Sequence, residues 1–355
     1  MNTKSIFVIT PPIFVAAIAM IYFWRYYPQQ QVSATEVGRM EVLTPDTTKY
    51  QNDCLHPCIR YSQKGFAGYH YWMIQSPYYA WNSAVENPIL YRSNRLDSIG
   101  LSGQLIADSP RAGFNSDPNL YIDGDSVLYV FWRECGTPLC DSMGYNPITV
   151  GVSTRDGENF SEKQVYLKNH WLYGDTEQAP VLLKHGEEYW FYAAWYEYQP
   201  ERKNRGIAIW KGTSLNAPDF VLADTIPFES LYVCDKAAEI RINGYRLYCP
   251  KPQYFDLWHF DLWEKEDGTL GLIASAEKGD MIMLAESTDG MHFSLESKPL
   301  VMNHYMENYV GYRQYYYKPT ACIDETGTHY FWTSGSKEDG KRNVLWHTCV
   351  KQSQF

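Results

Sequence analysis

One unit returns along this chain at a nearly constant spacing, and that recurrence limits the fold more than any other feature. In its clearest copy, Ser116-Asp117-Pro118-Asn119-Leu120-Tyr121-Ile122 leads through Asp123-Gly124 into Val127-Leu128-Tyr129-Val130-Phe131-Trp132. An Asp-Gly pair between two β-type runs is a strong hairpin signal. The same order opens at His56-Pro57, at Glu177-Gln178-Ala179-Pro180 and at Lys318-Pro319. Pro57 to Pro118 spans 61 residues and Pro118 to Pro180 spans 62. Pro180 to Pro319 spans 139, about two periods, and Trp258-His259-Phe260-Asp261-Leu262-Trp263 fills the gap. Each unit closes on a further strand, such as Ile89–Ser93 or Val344–Thr348. Five units of several short strands predict an all-β, five-bladed β-propeller.

Residues 51–355 are assigned to that propeller, with blade one over about 53–100, two over 114–165, three over 175–222, four ending near 297, and five last. Residues 238–248 carry their own hairpin around Asn243-Gly244, as the first strands of blade four or as an insertion over the channel. Trp72, Trp132, Trp190 and Trp332 occupy equivalent second-strand positions and are expected in the core between blades. Ser153–Phe160 and Ser287–Phe293 read as outer turns built on Asp and Gly, similar to the sialidase Asp-box, with no catalytic part.

The amino terminus stands apart. Ile6 to Trp24 are 19 uncharged, mostly apolar residues, just long enough to span a bilayer. Tyr26 and Tyr27 suit a membrane interface. Residues 1–25 are therefore expected to form one transmembrane signal-anchor helix, with a cleaved signal peptide as the competing reading through Ala17-Ile18-Ala19. Residues 26–50 read as a polar linker. Eight cysteines form plausible local pairs, Cys54–Cys58, Cys135–Cys140, Cys234–Cys249 and Cys322–Cys349. Disulfides would place the propeller outside the cytoplasm, membrane-anchored or secreted. No cysteine quartet has zinc spacing, so no metal site is expected. The net charge of −10, with no basic run, argues against nucleic acid as a partner.

A propeller gathers the starts of its inner strands around one funnel. The residues offered there are Asp53 and His56, Asp117, Asp175 and Glu177, His259 and Asp261, and Lys318. Several carboxylates around one pocket suit glycosidic cleavage, which needs one protonated and one ionised group. The tyrosines of 299–317, ending at Tyr317, form either a sugar-stacking surface or packing between blades.

Ser116-Asp117-Pro118 and Glu177-Gln178-Ala179-Pro180 resemble the second and third blade motifs of the five-bladed propeller glycosidases of glycoside hydrolase family 43 and the related family 32 group. The resemblance implies Glu177 as general acid and Asp117 as the residue that orients and tunes it. The family's blade-one Asp-Pro is replaced here by His56-Pro57. The base is then Asp53, His56 itself, or Glu239 or Asp261 from blade four. His-Pro, Tyr-x-Tyr-Trp-Met, Glu86-Asn87-Pro88, Ser-Asp-Pro and Trp-His-x-Asp together are similar to a bacterial and phage group of uncharacterised propellers. His259, Asp261, Glu239, Lys318 and Tyr317 are the expected substrate-binding residues. No cofactor is called for; a channel-held ion such as Ca2+, with His259 as holder, stays open. The expectation is a glycoside hydrolase acting on an oligo- or polysaccharide. The alternatives are a glycan-binding or polysaccharide-assembly propeller, and an interaction scaffold using the rim.

Overall fold

The computed structural model describes residues 41–43, 53–100, 103–168, 175–197, 203–227, 235–242, 245–252, 257–276, 281–296, 300–302, 316–335 and 343–350. Of 41–43, 175–178, 197, 203–205, 227, 235–242, 245–252, 276, 302 and 335 it describes the backbone alone.

A short strand β1 (Glu41–Leu43) comes first, and five blades follow. Blade one holds β2 (Leu55–Phe66), β3 (Tyr69–Ser76), β4 (Ile89–Ser93) and β5 (Gln104–Leu105). Blade two holds β6 (Phe114–Asp123), β7 (Val127–Cys135), β8 (Ile148–Thr154) and β9 (Gln164–Lys168). Blade three holds β10 (Asp175–His185), β11 (Glu188–Glu197), β12 (Lys203–Gly212) and β13 (Val221–Pro227). A separate hairpin, β14 (Asp235–Ile242) with β15 (Tyr245–Pro252), precedes blade four. That blade holds β16 (Leu257–Glu264), β17 (Leu270–Ala276), β18 (Met281–Ser287), β19 (Ser294–Leu295) and β20 (Val301–Met302). Blade five holds β21 (Thr320–Asp324), β22 (Gly327–Gly335) and β23 (Asn343–Val350).

The hairpin around 243–244 is thus neither a strand of blade four's sheet nor of blade three's. β1 pairs antiparallel with β23, Val42 opposite Trp346, and becomes the outer strand of blade five. Residues whose polar composition reads as linker therefore close the ring. A strand of three residues is too short for a two-residue period to show in the sequence.

Five apolar clusters fill the spaces between blades. The inner strands each feed two of them, because successive side chains point to opposite faces. Trp72 and Ile74 of β3 pack with Leu120, Val130 and Trp132 of blade two. Tyr71 and Met73, on the other face of the same strand, pack with Cys322, Phe331 and Leu345 of blade five. Phe131 meets Phe191 across the next gap, and Val181 and Tyr192 meet Phe260 and Leu262 across the one after. Trp263 meets Trp332 and Trp346 in the last. Three of the four second-strand tryptophans are buried as expected, while Trp190 is only partly buried and lies against His185 and Lys211.

The turn after β6 is shifted by one residue from the expected Asp-Gly. Gly124 and Asp125 carry the positive φ values of 53° and 56°, and Ser126 N donates to Asp123 O. The two outer turns behave as read. Asp156 Oδ1 accepts from Glu158 N and Asn159 N, Asp289 Oδ1 from Met291 N and His292 N, and Gly157 and Gly290 supply the positive φ.

The cysteine pairs are corrected. Cys54, Cys58, Cys140 and Cys322 are buried free thiols, so the Cys54–Cys58, Cys135–Cys140 and Cys322–Cys349 bridges are not formed. Cys322 and Cys349 both face His329 from opposite sides of β22, which sets them two strands apart. Cys58 instead donates to Asn119 Oδ1 at 3.3 Å, from blade one to blade two. Cys234 and the Cys249 side chain lie outside the described residues. Among the described residues no helix is long and apolar enough to cross a membrane. The expected anchor at 6–24 lies outside them.

Candidate active site

Three of the Pro-marked strand entries share one local device. His56, Asp117 and Ala179 each precede a proline, and each has a positive φ, of 51°, 49° and 50°. Each also sits at a shift of register between the first and second strands of its blade. A non-glycine residue in that conformation costs free energy, and such strain concentrates at functional positions. The bulge breaks the alternation of the strand and re-aims one side chain. In blades one and two it brings an imidazole and a carboxylate to the same point.

His56 Nε2 lies 3.4 Å from Asp117 Oδ1, and His259 Nε2 lies 3.6 Å from the same oxygen. The two imidazole rings are 5.2 Å apart. All three side chains are buried, Asp117 completely. Neither imidazole distance is that of a good hydrogen bond. Asp117 Oδ2 is held by Arg133 at 2.9 Å. Burial alone would raise the Asp117 carboxyl; Arg133, then His56 and His259, outweigh it and hold it well below the usual carboxylate range. Asp117 is therefore ionised.

Glu86 supports the cluster from behind. Its Oε1 lies 3.0 Å from His56 Nδ1 and accepts from Ser116 Oγ at 2.8 Å. A carboxylate on Nδ1 fixes the proton there and turns Nε2 towards Asp117. Burial raises the Glu86 carboxyl, and the hydrogen bond from His56 partly opposes it.

Further along the same inner strands lies a second buried group. Arg60 grips Asp261 through two bonds of 2.7 Å, Nη1 to Oδ2 and Nη2 to Oδ1. Thr320 Oγ1 also donates to Asp261 Oδ2. Lys318 Nζ donates to the Pro118 carbonyl at 2.7 Å. These bonds tie blade one to four, four to five, and five to two.

An aromatic wall leads away from the centre. The Tyr317 ring stands 6.1 Å from His56, 6.3 Å from His259 and 4.8 Å from Trp258.

The sequence-expected residues thus divide. His56, Asp117 and His259 come together, with Tyr317 beside them. Asp261 and Lys318 belong to the inter-blade lock. The Asp53 carboxylate takes the backbone N–H of Tyr78 and of Asn343, joining the ends of the ring, and is not part of the cluster. Glu177 lies on β10 opposite Trp195, but its side chain, like those of Asp175 and Glu239, is outside the described residues. The blade-three counterpart of His56 and Asp117 is Ala179, two residues beyond Glu177.

Reading the sequence missed Arg133, Glu86 and Trp258 as parts of the site. Glu86 had a signal, the Glu-Asn-Pro step; Arg133 follows a core tryptophan and had none. Cysteine spacing gives no sign of a metal site, and of the three side chains that meet, His56, Asp117 and His259, the sequence offers only His259 as an ion holder. One ligand atom from each lies within 4.8 Å of the others. An edge of roughly 3.4 Å is that of a tetrahedron with ligand bonds of about 2.1 Å, and two imidazoles with one carboxylate suit a first-row divalent cation.

No family model matches the chain, and no curated protein matches it. Solved structures do. An N-acetylgalactosamine deacetylase from F. plautii, in complex with blood group B trisaccharide, is 12% identical, with 88% of this chain and 94% of that one covered, at a TM-score of 0.59. An α-L-arabinanase from Penicillium chrysogenum, with arabinobiose, is 11% identical over 86% and 80%, at 0.51. A GH43_1 enzyme from Xanthomonas citri is 10% identical over 89% and 92%, at 0.53. At these identities the likeness is one of fold, and it bears out the five-bladed propeller and its similarity to family 43 glycosidases.

Proposed function

We propose that this protein is a glycan-directed hydrolase whose reacting centre is the His56–Asp117–His259 face, holding a first-row divalent cation. The observation that carries the reading is the pair of 3.4 and 3.6 Å edges that meet at Asp117 Oδ1. Those edges match ligand spacing and are longer than a well-formed hydrogen bond. When bound, such an ion supplies Lewis-acid polarisation and lowers the pKa of water. The chain's own part is to hold and orient. Arg133 keeps Asp117 ionised and fixed through its other oxygen. Glu86 faces Nδ1 of His56 at 3.0 Å, which leaves Nε2 to the Asp117 side. Tyr317 and Trp258 present ring faces to a substrate beside the centre.

This donor set suits attack on a carbonyl, so the reaction assigned is removal of an acyl group from a sugar. The structural relatives that carry glycans support the substrate class, and one of them is named as a deacetylase. The apolar stretch 6–24 is proposed to anchor the propeller to a membrane, on its extracytoplasmic side. The free thiols remove the disulfide argument for that side, and the placement rests on the apolar stretch as a signal anchor.

A second reading is glycosidic cleavage, with Glu177 as acid and Asp117 as its orienting partner. The place of Glu177 on the inner strand of blade three, two residues before Ala179, favours it. One experiment separates the readings. The full chain is incubated with N-acetylated chito-oligosaccharides, arabinan and xylan, with Mn2+ or Zn2+ or with chelator. Released acetate and new reducing ends are both measured. Acetate lost in Asp117→Asn and in chelator, but kept in Glu177→Gln, supports the first reading. Reducing ends lost in Glu177→Gln and indifferent to chelator support the second. Glycan binding without either product leaves a binding propeller.

A further inference from the structure

We propose that Trp81 is a stacking platform for a sugar unit next to the reacting one, so that the protein takes glycan chains in preference to single sugars. The inference rests on the glycan-directed reading and adds a subsite to it.

Trp81 is 46% exposed. The other exposed large hydrophobics among the described residues, Leu105, Val221 and Leu222, are aliphatic and lie on the outer strands β5 and β13. Trp81 lies instead in the connection from β3 to β4, on a single 3-10 turn over Tyr79–Trp81. Its φ is 61°, and that of Ala80 before it is 57°. Two successive left-handed residues, one of them a tryptophan, are a strained arrangement. No side-chain hydrogen bond caps the turn to offset the strain. The connection is anchored on both sides of the turn: Tyr78 N donates to Asp53 on one, and Glu86 reaches His56 on the other. The connection that orients a histidine of the centre thus also holds an indole out towards solvent.

The indole is continuous with the aromatic wall. Its ring stands 6.1 Å from Tyr317 at 46°, and 5.9 Å from Tyr78, edge to face. Tyr317 in turn stands beside His56, His259 and Trp258. Trp81 is therefore two aromatic steps from the centre, beyond reach of the reacting sugar and within reach of its neighbour in a chain. A sugar's face of C–H groups suits an electron-rich indole face, and the exposed apolar surface is covered when the two stack. A chain entering along Trp81 and Tyr317 would bring its end residue beside His56 and His259.

The test titrates the full chain with mono- to pentasaccharides of the chitin, arabinan and xylan series, with Mn2+ present, by calorimetry and tryptophan fluorescence. In the series that binds, affinity should rise with length. Trp81→Ala should remove that rise, about tenfold or more at the trisaccharide, while the monosaccharide affinity stays as it was. Trp81→Tyr should keep most of the rise. A Trp81→Ala protein with the full length dependence overturns the platform and leaves the hydrolase reading standing. A wild-type chain that binds none of the series overturns the glycan reading and the platform together. If Trp81→Ala instead turns a dimer into a monomer by light scattering and all sugar affinities persist, Trp81 is a self-association contact and the platform is overturned.

Discussion

The same inner strands carry two buried polar groups, and the two are finished differently. In one, Arg60, Asp261, Thr320 and Lys318 are joined by close bonds across four blades. In the other, four residues back along β2 and two back along β16, His56 and His259 approach Asp117 Oδ1 only to 3.4 and 3.6 Å. A buried charge group that is satisfied holds a fold in one arrangement, whereas one left with converging donor atoms awaits something between them. The propeller in this sense separates its lock from its site within a few residues of each strand. Removing the lock should unfold the ring; removing the site should leave it folded and inert.

The largest effect expected on this contrast is from Arg60→Ala, which leaves Asp261 buried without its guanidinium and should cost about 3–5 kcal/mol. Chemical denaturation would measure it, and unchanged stability with lost cation binding would reverse the two roles. Asp117→Asn should cut cation affinity and turnover at least about 100-fold, with the denaturation midpoint much less affected than in Arg60→Ala. A collapse of stability equal to that of Arg60→Ala would mean that both groups are structural. Next comes Glu86→Gln. It keeps the shape but loses the carboxylate that fixes His56, and roughly 10–100-fold of cation affinity or activity should go with it. Full activity in that variant would show that His56 needs no such support.

The smallest effect is in acid. Burial would raise the Asp261 carboxyl, but Arg60 outweighs it and holds it below the usual value. The folded pKa is thus the lower one. The stabilisation is present above the unfolded value of about 3.9 and is lost as pH falls below it towards the folded value. Asp261→Asn should therefore be less stable than the wild type at pH 7, and the gap should narrow below about pH 4. A gap constant down to pH 3 would remove ionisation of Asp261 from the account.

Much of this was legible in the residues. The proline period located all five inner strands, because each blade must repeat the same turn and entry to pack on its neighbours. Asp117 and His56 were found for the same reason, as residues before those prolines. The pairing of cysteines failed where spacing stood in for geometry: Cys322 and Cys349 are close in register to one residue, His329, and yet lie on either side of its strand. Glu177 comes from the likeness of Glu177-Gln178-Ala179-Pro180 to the family's third motif, and the positive φ of that entry falls two residues later, on Ala179.

The sequence by itself determined the repeat, the alternation of faces that packs Trp72 one way and Met73 the other, and the residue types at each strand mouth. Those are local properties, set by the pleat and by the turn residues. Only the closed ring decided which mouths meet. His56, Asp117 and His259 are separated by a blade or more of chain, and their convergence depends on bulges, strand tilt and the closing pairing of β1 with β23. No spacing along the chain records that distance.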